Sequence, residues 1–222
     1  MFTEIRKISS LLLSVAFSSI GFIASITVTV LAAREVSSNP LFVGFPNAVG
    51  VGGAILGTRM IYLISKNSSQ LNALAFTFLI GAFGGAVMFY SLIIDSFVLL
   101  LFGAFILGIG QSATLQTRYA ASFVASKKFK ATALSLVVWF SVFGSVFGPR
   151  MVGSYSNFFE NIFNSELIVG YIIALVGMLF AASSLLAFTS KKSILRSPSD
   201  LESESSHQSS DKKNGNLLSL LL

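Results

Sequence analysis

The chain alternates between long apolar stretches and short clusters of polar and charged residues. Six uncharged stretches are each close to the roughly 20 residues that an α-helix needs to cross about 30 Å of hydrocarbon. They predict membrane-spanning helices at about 8–32, 40–64, 71–94, 97–122, 131–153 and 167–190. A transmembrane barrel would instead show strict alternation of polar and apolar residues, which this sequence lacks. The pattern predicts an all-α, polytopic membrane protein with six transmembrane helices.

Composition agrees with this interpretation, because 54% of the 222 residues are hydrophobic and only 11% are charged. Soluble domains carry roughly a quarter charged residues. Arg6 and Lys7 precede the first apolar run, as they would in a secretory signal. That run exceeds the h-region of about 7 to 15 residues, which favours an uncleaved first helix over a cleaved signal.

The net charge of +6 is explained by membrane orientation rather than by a nucleic-acid partner. With both termini in the cytoplasm, only Arg34 and Arg150 lie at outer ends of spans. The positive-inside bias therefore predicts a multi-pass protein of the cytoplasmic membrane with both termini inside. The basic residues that this orientation places in the cytoplasm are Arg6, Lys7, Lys66, Lys127, Lys128, Lys130, Lys191, Lys192 and Arg196.

The chain divides into a six-helix transmembrane domain at 1–190 and a polar tail. The first four connections are short, and a longer one is expected at about 154–165. Residues 191–216 are rich in Ser, Lys, Asp and Glu, which predicts a disordered cytoplasmic linker. Residues 217–222 are mostly leucine. They are interpreted either as the start of a truncated seventh span or as a tail that touches the bilayer surface.

Catalytic and metal-binding constellations are missing from the apolar region. The single histidine, His207, lies in the polar tail, no carboxylate pair falls within a span, and the chain has no cysteine. We therefore expect no enzyme activity, no catalytic residue, no cofactor and no metal site. Glycines at four-residue spacing, such as Gly53 with Gly57 and Gly144 with Gly148, suit close helix packing and could also serve as hinges.

The fourth and fifth spans carry a more specific pattern. Gly108-Ile-Gly-Gln is followed by Arg118-Tyr-Ala-Ala, and the fifth span contains Gly144, then Gly148-Pro149, then Gly153. This pattern resembles the major facilitator superfamily, and in particular its bacterial drug-efflux-like members. Their fifth span carries a glycine-rich motif that ends in Gly-Pro followed by glycine, although Val152 here replaces a second terminal glycine. The resemblance implies the N-terminal six-helix half of a twelve-helix transporter.

The resemblance also implies roles for individual residues. Gly148 and Pro149 would bend the fifth helix and help to seal one side of a cavity, together with Gly144 and Gly153. The alternative is an ordinary packing kink. Arg118 would belong to the gating machinery, or would instead extend its cation to the membrane interface.

The sequence departs from the family pattern at its charges. The family usually has an acidic residue between the second and third spans, whereas residues 36–94 contain none. The arginine usually found early in the fourth span is also absent, since 96–117 carry no charge. Asp95 lies at an outer turn rather than inside a span, and no proton relay is visible.

The interpretation that follows is transport of a small-molecule substrate through the lipid bilayer by alternating access. The resemblance to drug-efflux-like members suggests efflux, whereas the residues themselves do not indicate a direction. An incomplete half would need a second six-helix half or self-association. A non-transporting scaffold or regulatory subunit is the alternative. The polar or aromatic candidates for a substrate cavity, each of which could instead bond a neighbouring helix, are Asn47, Gln111, Gln116 and Trp139.

Overall fold

The computed structural model describes residues 2–37, 40–125, 127–163 and 165–189, and these form helices and connecting turns without a strand. Six helices each contain a stretch of at least 20 residues that is long enough and apolar enough to cross a membrane. The predicted all-α fold with six membrane-spanning helices is confirmed. The helices are α1 Phe2–Val36, α2 Phe45–Asn67, α3 Gln70–Ile93, α4 Phe97–Val124, α5 Lys130–Phe163 and α6 Ile168–Thr189.

Short connections make successive helices antiparallel neighbours. We call the end where α1 begins the near end, and the end where α1 finishes and α2 begins the far end. The connection from α3 to α4 is a tight turn at the far end, where Asp95 has a φ of 50°. The hydroxyl of Ser96 then caps α4 by accepting a hydrogen bond from the Leu99 amide at 3.4 Å.

Two helices, α1 and α4, form the centre of the bundle. Helix α1 packs along α5 and α6, helix α4 packs along α2 and α3, and the two central helices also contact each other. Between them, the buried Thr114 hydroxyl donates to Ser18 Oγ at 3.0 Å. Within the most apolar part of α2 and of α5 only 22% of the residues are buried, against 50% or more in the other four helices. Helices α2 and α5 are therefore the peripheral pair.

Glycines bring α2 and α3 into backbone contact with α4. A Cβ on Gly108 of α4 would overlap the Gly50 carbonyl of α2. Further along the same pair of helices, a Cβ on Gly57 would lie 2.7 Å from the Ile109 carbonyl oxygen. On the other side of α4, a Cβ on Gly81 of α3 would lie 2.7 Å from the Gly110 Cα. Residue numbers rise together along α2 and α4, so these two helices run in the same direction.

The second central helix, α1, is contacted in the same way. A Cβ on Gly144 of α5 would overlap the Ser19 side chain of α1. A Cβ on Gly148, one turn further along α5, would lie 3.0 Å from the Ala24 amide nitrogen. Helix α6 approaches from the other side, where a Cβ on Gly177 would lie 3.1 Å from the Gly21 Cα. These contacts are the small-residue packing that the sequence predicts for membrane helices.

The group formed by α4 with α2 and α3 corresponds to the group formed by α1 with α5 and α6. Residues 53–60 of α2 read G-A-I-L-G-T-R-M, and residues 144–151 of α5 read G-S-V-F-G-P-R-M. Each segment presses its two glycines on a central helix, α2 on α4 and α5 on α1. Helices three positions apart in the chain run in opposite directions, so the repeats are inverted. This is the internal symmetry found in many membrane transporters.

Two helices extend beyond the predicted spans. Helix α1 begins at Phe2 rather than near residue 8, and α5 continues to Phe163 through the segment expected to be a connection. With 34 residues, α5 is about 51 Å long, which exceeds the roughly 30 Å thickness of the hydrocarbon core. Its last turns therefore extend beyond the apolar layer. The predicted linker at 191–216 and the leucines at 217–222 lie outside the described residues.

Candidate solute cavity

A cavity of about 250 Å³ lies between α1, α2 and α4, with Met88 of α3 also in its wall. Its apolar lining includes Phe22 and Leu107. Its polar lining consists of two hydroxyls and two amides, namely Ser25, Thr29, Asn47 and Gln111. Two of the four residues predicted for a substrate cavity, Asn47 and Gln111, are thus brought together, while their role in binding stays a prediction.

Local structure places each amide. Asn47 lies in the first turn of α2, where Pro46 is tolerated because the first N–H groups of a helix have no intrahelical partner. Gln111 lies near the middle of α4, next to Gly108 and Gly110. Because these glycines bring α4 against α2 and α3, the cavity wall at Gln111 has little freedom to move.

The two hydroxyls on α1 make hydrogen bonds within the protein. Ser25 donates to the Phe22 carbonyl at 2.8 Å, and Thr29 donates to the Ser25 carbonyl at 2.7 Å. The Tyr171 hydroxyl of α6 donates to Thr29 Oγ1 at 3.4 Å. The hydroxyl donors are therefore occupied, and the hydroxyl oxygens remain as weak acceptors toward the cavity.

The two amides differ from the hydroxyls, because neither Asn47 nor Gln111 has a side-chain hydrogen bond with another described residue. The lining of the cavity carries no acidic or basic side chain from the described ranges. At roughly 30 Å³ per water molecule, the space corresponds to about eight waters. It can hold a small solute, and it is smaller than the 300–1,000 Å³ typical of complete ligand pockets.

The other two cavity candidates lie elsewhere. Gln116 donates to the Thr58 carbonyl of α2 at 3.4 Å, which is the interhelical bond that the sequence left as an alternative. Trp139 is 69% exposed and lines a separate apolar groove of about 380 Å³ on α5. Its ring is 6.1 Å from that of Phe143, which in turn stacks on Phe147 at 6.0 Å. These aromatic residues form a row on the outside of the bundle.

The residues of the Gly-Pro motif take three different positions. Gly144 and Gly148 contact α1, as described above. Pro149 is exposed, and α5 continues through it. Gly153 has open space around it, because no atom lies within 4 Å of the position that a Cβ would take. Packing against α1 therefore belongs to the two glycines that precede the proline.

Arg118 lies about 9 Å before the near end of α4, at 1.5 Å per residue. One terminal nitrogen donates to Ser141 Oγ of α5 at 3.2 Å. Its Nε is buried and has no partner among the described residues. The side chain thus crosses to α5 rather than pointing freely into solvent.

Comparison with known proteins adds the family. The chain is 30% identical over 169 residues to the uncharacterized MFS-type transporter YdeG of Bacillus subtilis, which is 76% of this chain and 39% of that protein. It is also 30% identical over 183 residues to YddS, another uncharacterized MFS-type transporter of the same organism, with 82% of this chain and 42% of the relative covered. The chain belongs to the major facilitator superfamily.

This facilitator chain spans about two fifths of the length of both Bacillus relatives. A third relative, the riboflavin transporter RfnT of Brucella anthropi, is 27% identical over 122 residues, which is 55% of this chain and 31% of that protein. No family model matches the chain, and no solved structure does.

Sequence reasoning missed the two cavity hydroxyls of this facilitator chain. Ser25 and Thr29 are four residues apart in the first span, so they share one face of α1. That spacing was a usable signal, but α1 carries several other hydroxyls at similar spacing, including Ser14 and Ser18. Only the position of α2 distinguishes the pair that lines the cavity.

Proposed function

We propose that this chain forms the N-terminal six-helix half of a major-facilitator transporter, which moves a small solute across the cytoplasmic membrane by alternating access. The observation that carries the proposal is the cavity shared by Asn47 and Gln111 in a chain whose relatives are named as transporters. The bilayer surrounds the bundle. The remaining wall of the solute path comes from a second six-helix half or from a second copy of the chain.

The inverted repeats support a mechanism for this movement. Solute sites of such transporters lie near the membrane midplane, and access alternates as one bundle rocks against another. Gly144 and Gly148 hold α5 against α1, so α5 moves with α1 and closes one side of the path. The proposed direction is efflux, on the basis of the Gly-Pro motif in α5.

The proposed orientation has the near end in the cytoplasm. Lys66 lies in the last turn of α2 at the near end, Lys128 lies in the connection to α5, and Lys130 begins α5. Arg34 and Arg150 lie toward the far end. Basic residues favour the cytoplasmic side of membrane proteins, which supports cytoplasmic termini.

Riboflavin is the first solute to test, because one relative is named as a riboflavin transporter. The chain would be reconstituted in liposomes alone, and together with any six-span protein encoded beside it. Movement of fluorescent riboflavin would then be measured across the vesicle membrane. Transport in either preparation supports the proposal, whereas no transport of riboflavin or of a panel of drug-like solutes in both preparations would contradict an active role.

A matched pair of variants links such transport to the fold. Gly148→Leu forces a side chain against α1, while Gly153→Leu places the same side chain into open space on the same helix. We expect the first to lower the transport rate at least about tenfold, because over-packing an interface commonly costs about 1–3 kcal/mol. The second should leave the rate within about a factor of two.

A non-transporting scaffold is the second candidate. The exposed row of Trp139, Phe143 and Phe147 on α5 favours it, since an aromatic face is suited to binding another membrane helix. Capture of the chain from detergent with a non-transporter complex, combined with inactive liposomes, would favour the scaffold. Loss of that capture on Phe143→Ala would attribute the contact to α5.

A further inference from the structure

The free amides in the cavity indicate what kind of solute it accepts. A primary amide offers two N–H donors and a carbonyl acceptor. Neither amide, of Asn47 or of Gln111, uses them with another described side chain or backbone group. In a membrane helix, polar groups without partners are stable only where they line a water-filled cavity or contact a bound molecule. Both amides therefore require water or a solute.

The rest of the lining argues against an ion. Around the amides are apolar groups such as Phe22, Ile26 and Leu107, and the described lining contains no charged residue. Moving a charged group out of water without an opposite charge costs far more free energy than moving a neutral polar group. The first turn of α2 adds a weak positive potential near Asn47, which is small against that cost.

We infer that this cavity selects an uncharged solute that carries at least one hydrogen-bond donor and one acceptor, held between the amides of Asn47 and Gln111. This inference rests on the proposed function for the fact of transport, and it adds the class of solute. The shallow amide, Asn47, lies at the far-end start of α2, and Gln111 lies deeper along α4. In the proposed direction of efflux, the solute therefore meets Gln111 first and Asn47 second on its way to the far end.

The absence of cysteine from the sequence allows a direct test. Gln111→Cys places a single thiol in the cavity of the purified full chain. Three small methanethiosulfonates then carry different charges on the same ethyl group: neutral hydroxyethyl, cationic trimethylammonioethyl and anionic sulfonatoethyl. Ser154→Cys, on the exposed far-end part of α5, corrects for the intrinsic reactivity of each reagent.

After that correction, we expect the neutral reagent to modify Gln111→Cys at least about tenfold faster than either charged reagent, because a charge must enter without a counter-ion. Asn47→Cys gives a second thiol at a more exposed position, should the deeper variant fold poorly. There the same preference is expected, with a smaller ratio.

Equal corrected rates for the neutral and charged reagents would overturn the inference. So would the lack of any modification at both positions while Ser154→Cys reacts, because the cavity would then be closed to solutes. Labelling needs no transport, so a selective cavity in inactive liposomes would contradict only the proposed function. If the chain transported an ion, and if modification of Gln111→Cys blocked that transport, the result would contradict only the inferred class of solute.

Discussion

Asp95 occupies the tight turn between α3 and α4 with a φ of 50°. This left-handed conformation costs an ordinary L-residue roughly 1–2 kcal/mol, costs glycine nothing and is tolerated by Asp and Asn. We expect Asp95→Val to lower the free energy of unfolding in mixed micelles by about 1–2 kcal/mol, and Asp95→Gly to leave it unchanged or raise it.

The charge of Asp95 is separated from its backbone conformation by Asp95→Asn. Asparagine, like aspartate, readily adopts positive φ. The free energy of unfolding of this variant should therefore lie within about 0.5 kcal/mol of that of the wild type. If Asn destabilised the chain as much as Val does, the carboxylate rather than the backbone would be the stabilising feature.

Arg118 links α4 to α5 through one hydrogen bond to Ser141. Hydrogen bonds to charged groups contribute about 1.5–3 kcal/mol when buried, and this group is only partly buried. We therefore expect Ser141→Ala to lower the free energy of unfolding by about 1 kcal/mol. Thermal unfolding of the purified chain in detergent measures the change.

Ser145, one turn along α5, is the matched control. Its hydroxyl is exposed and donates only to the Val142 carbonyl of its own helix at 2.7 Å. Ser145→Ala should change the stability by less than about 0.5 kcal/mol. Equal losses for both serines would show that the bond from Arg118 contributes nothing to the packing of α4 against α5.

At the scale of the elements, the contact between α2 and α4 depends on bare backbone. Gly108→Ala would bring a methyl group into the Gly50 carbonyl, and neither helix backbone can move without losing its other contacts. We expect a loss of at least about 1–3 kcal/mol, read as a lower thermal midpoint in detergent.

The same substitution on the open face of α2 gives the comparison. Gly52 has no atom within 4 Å of a would-be Cβ, so Gly52→Ala should be neutral or stabilise the helix by up to about 1 kcal/mol through propensity. A similar loss in both variants would mean that glycine flexibility, rather than close packing, is what α2 and α4 require.

At the scale of the whole molecule, charge sets the orientation. The orientation can be measured with single cysteines, because the chain has no other thiol. Lys128→Cys places one at the near end, and Ser154→Cys places one toward the far end. In intact cells, we expect a membrane-impermeant maleimide to label Ser154→Cys but not Lys128→Cys. Permeabilised cells should label both, and the reverse pattern in intact cells would place the termini outside.

Some features of this protein depend on local sequence alone, and others depend on tertiary packing. The six spans and the all-helical fold follow from the sequence alone, because a bilayer makes each stretch of about 20 apolar residues satisfy its own backbone locally. The glycines were also recognisable as packing residues, since small residues at four-residue spacing form one face of a helix.

The identity of the cavity could not be derived in the same way. Asn47, Gln111, Gln116 and Trp139 were equivalent candidates in the sequence, because a polar or aromatic residue in a span can face a solute or a neighbouring helix. Only the packing of α2 against α4 brings Asn47 and Gln111 to one space, and it turns Gln116 to Thr58. Burial and pairing depend on contacts between residues far apart in the chain, so the tertiary structure decided which amides remain free.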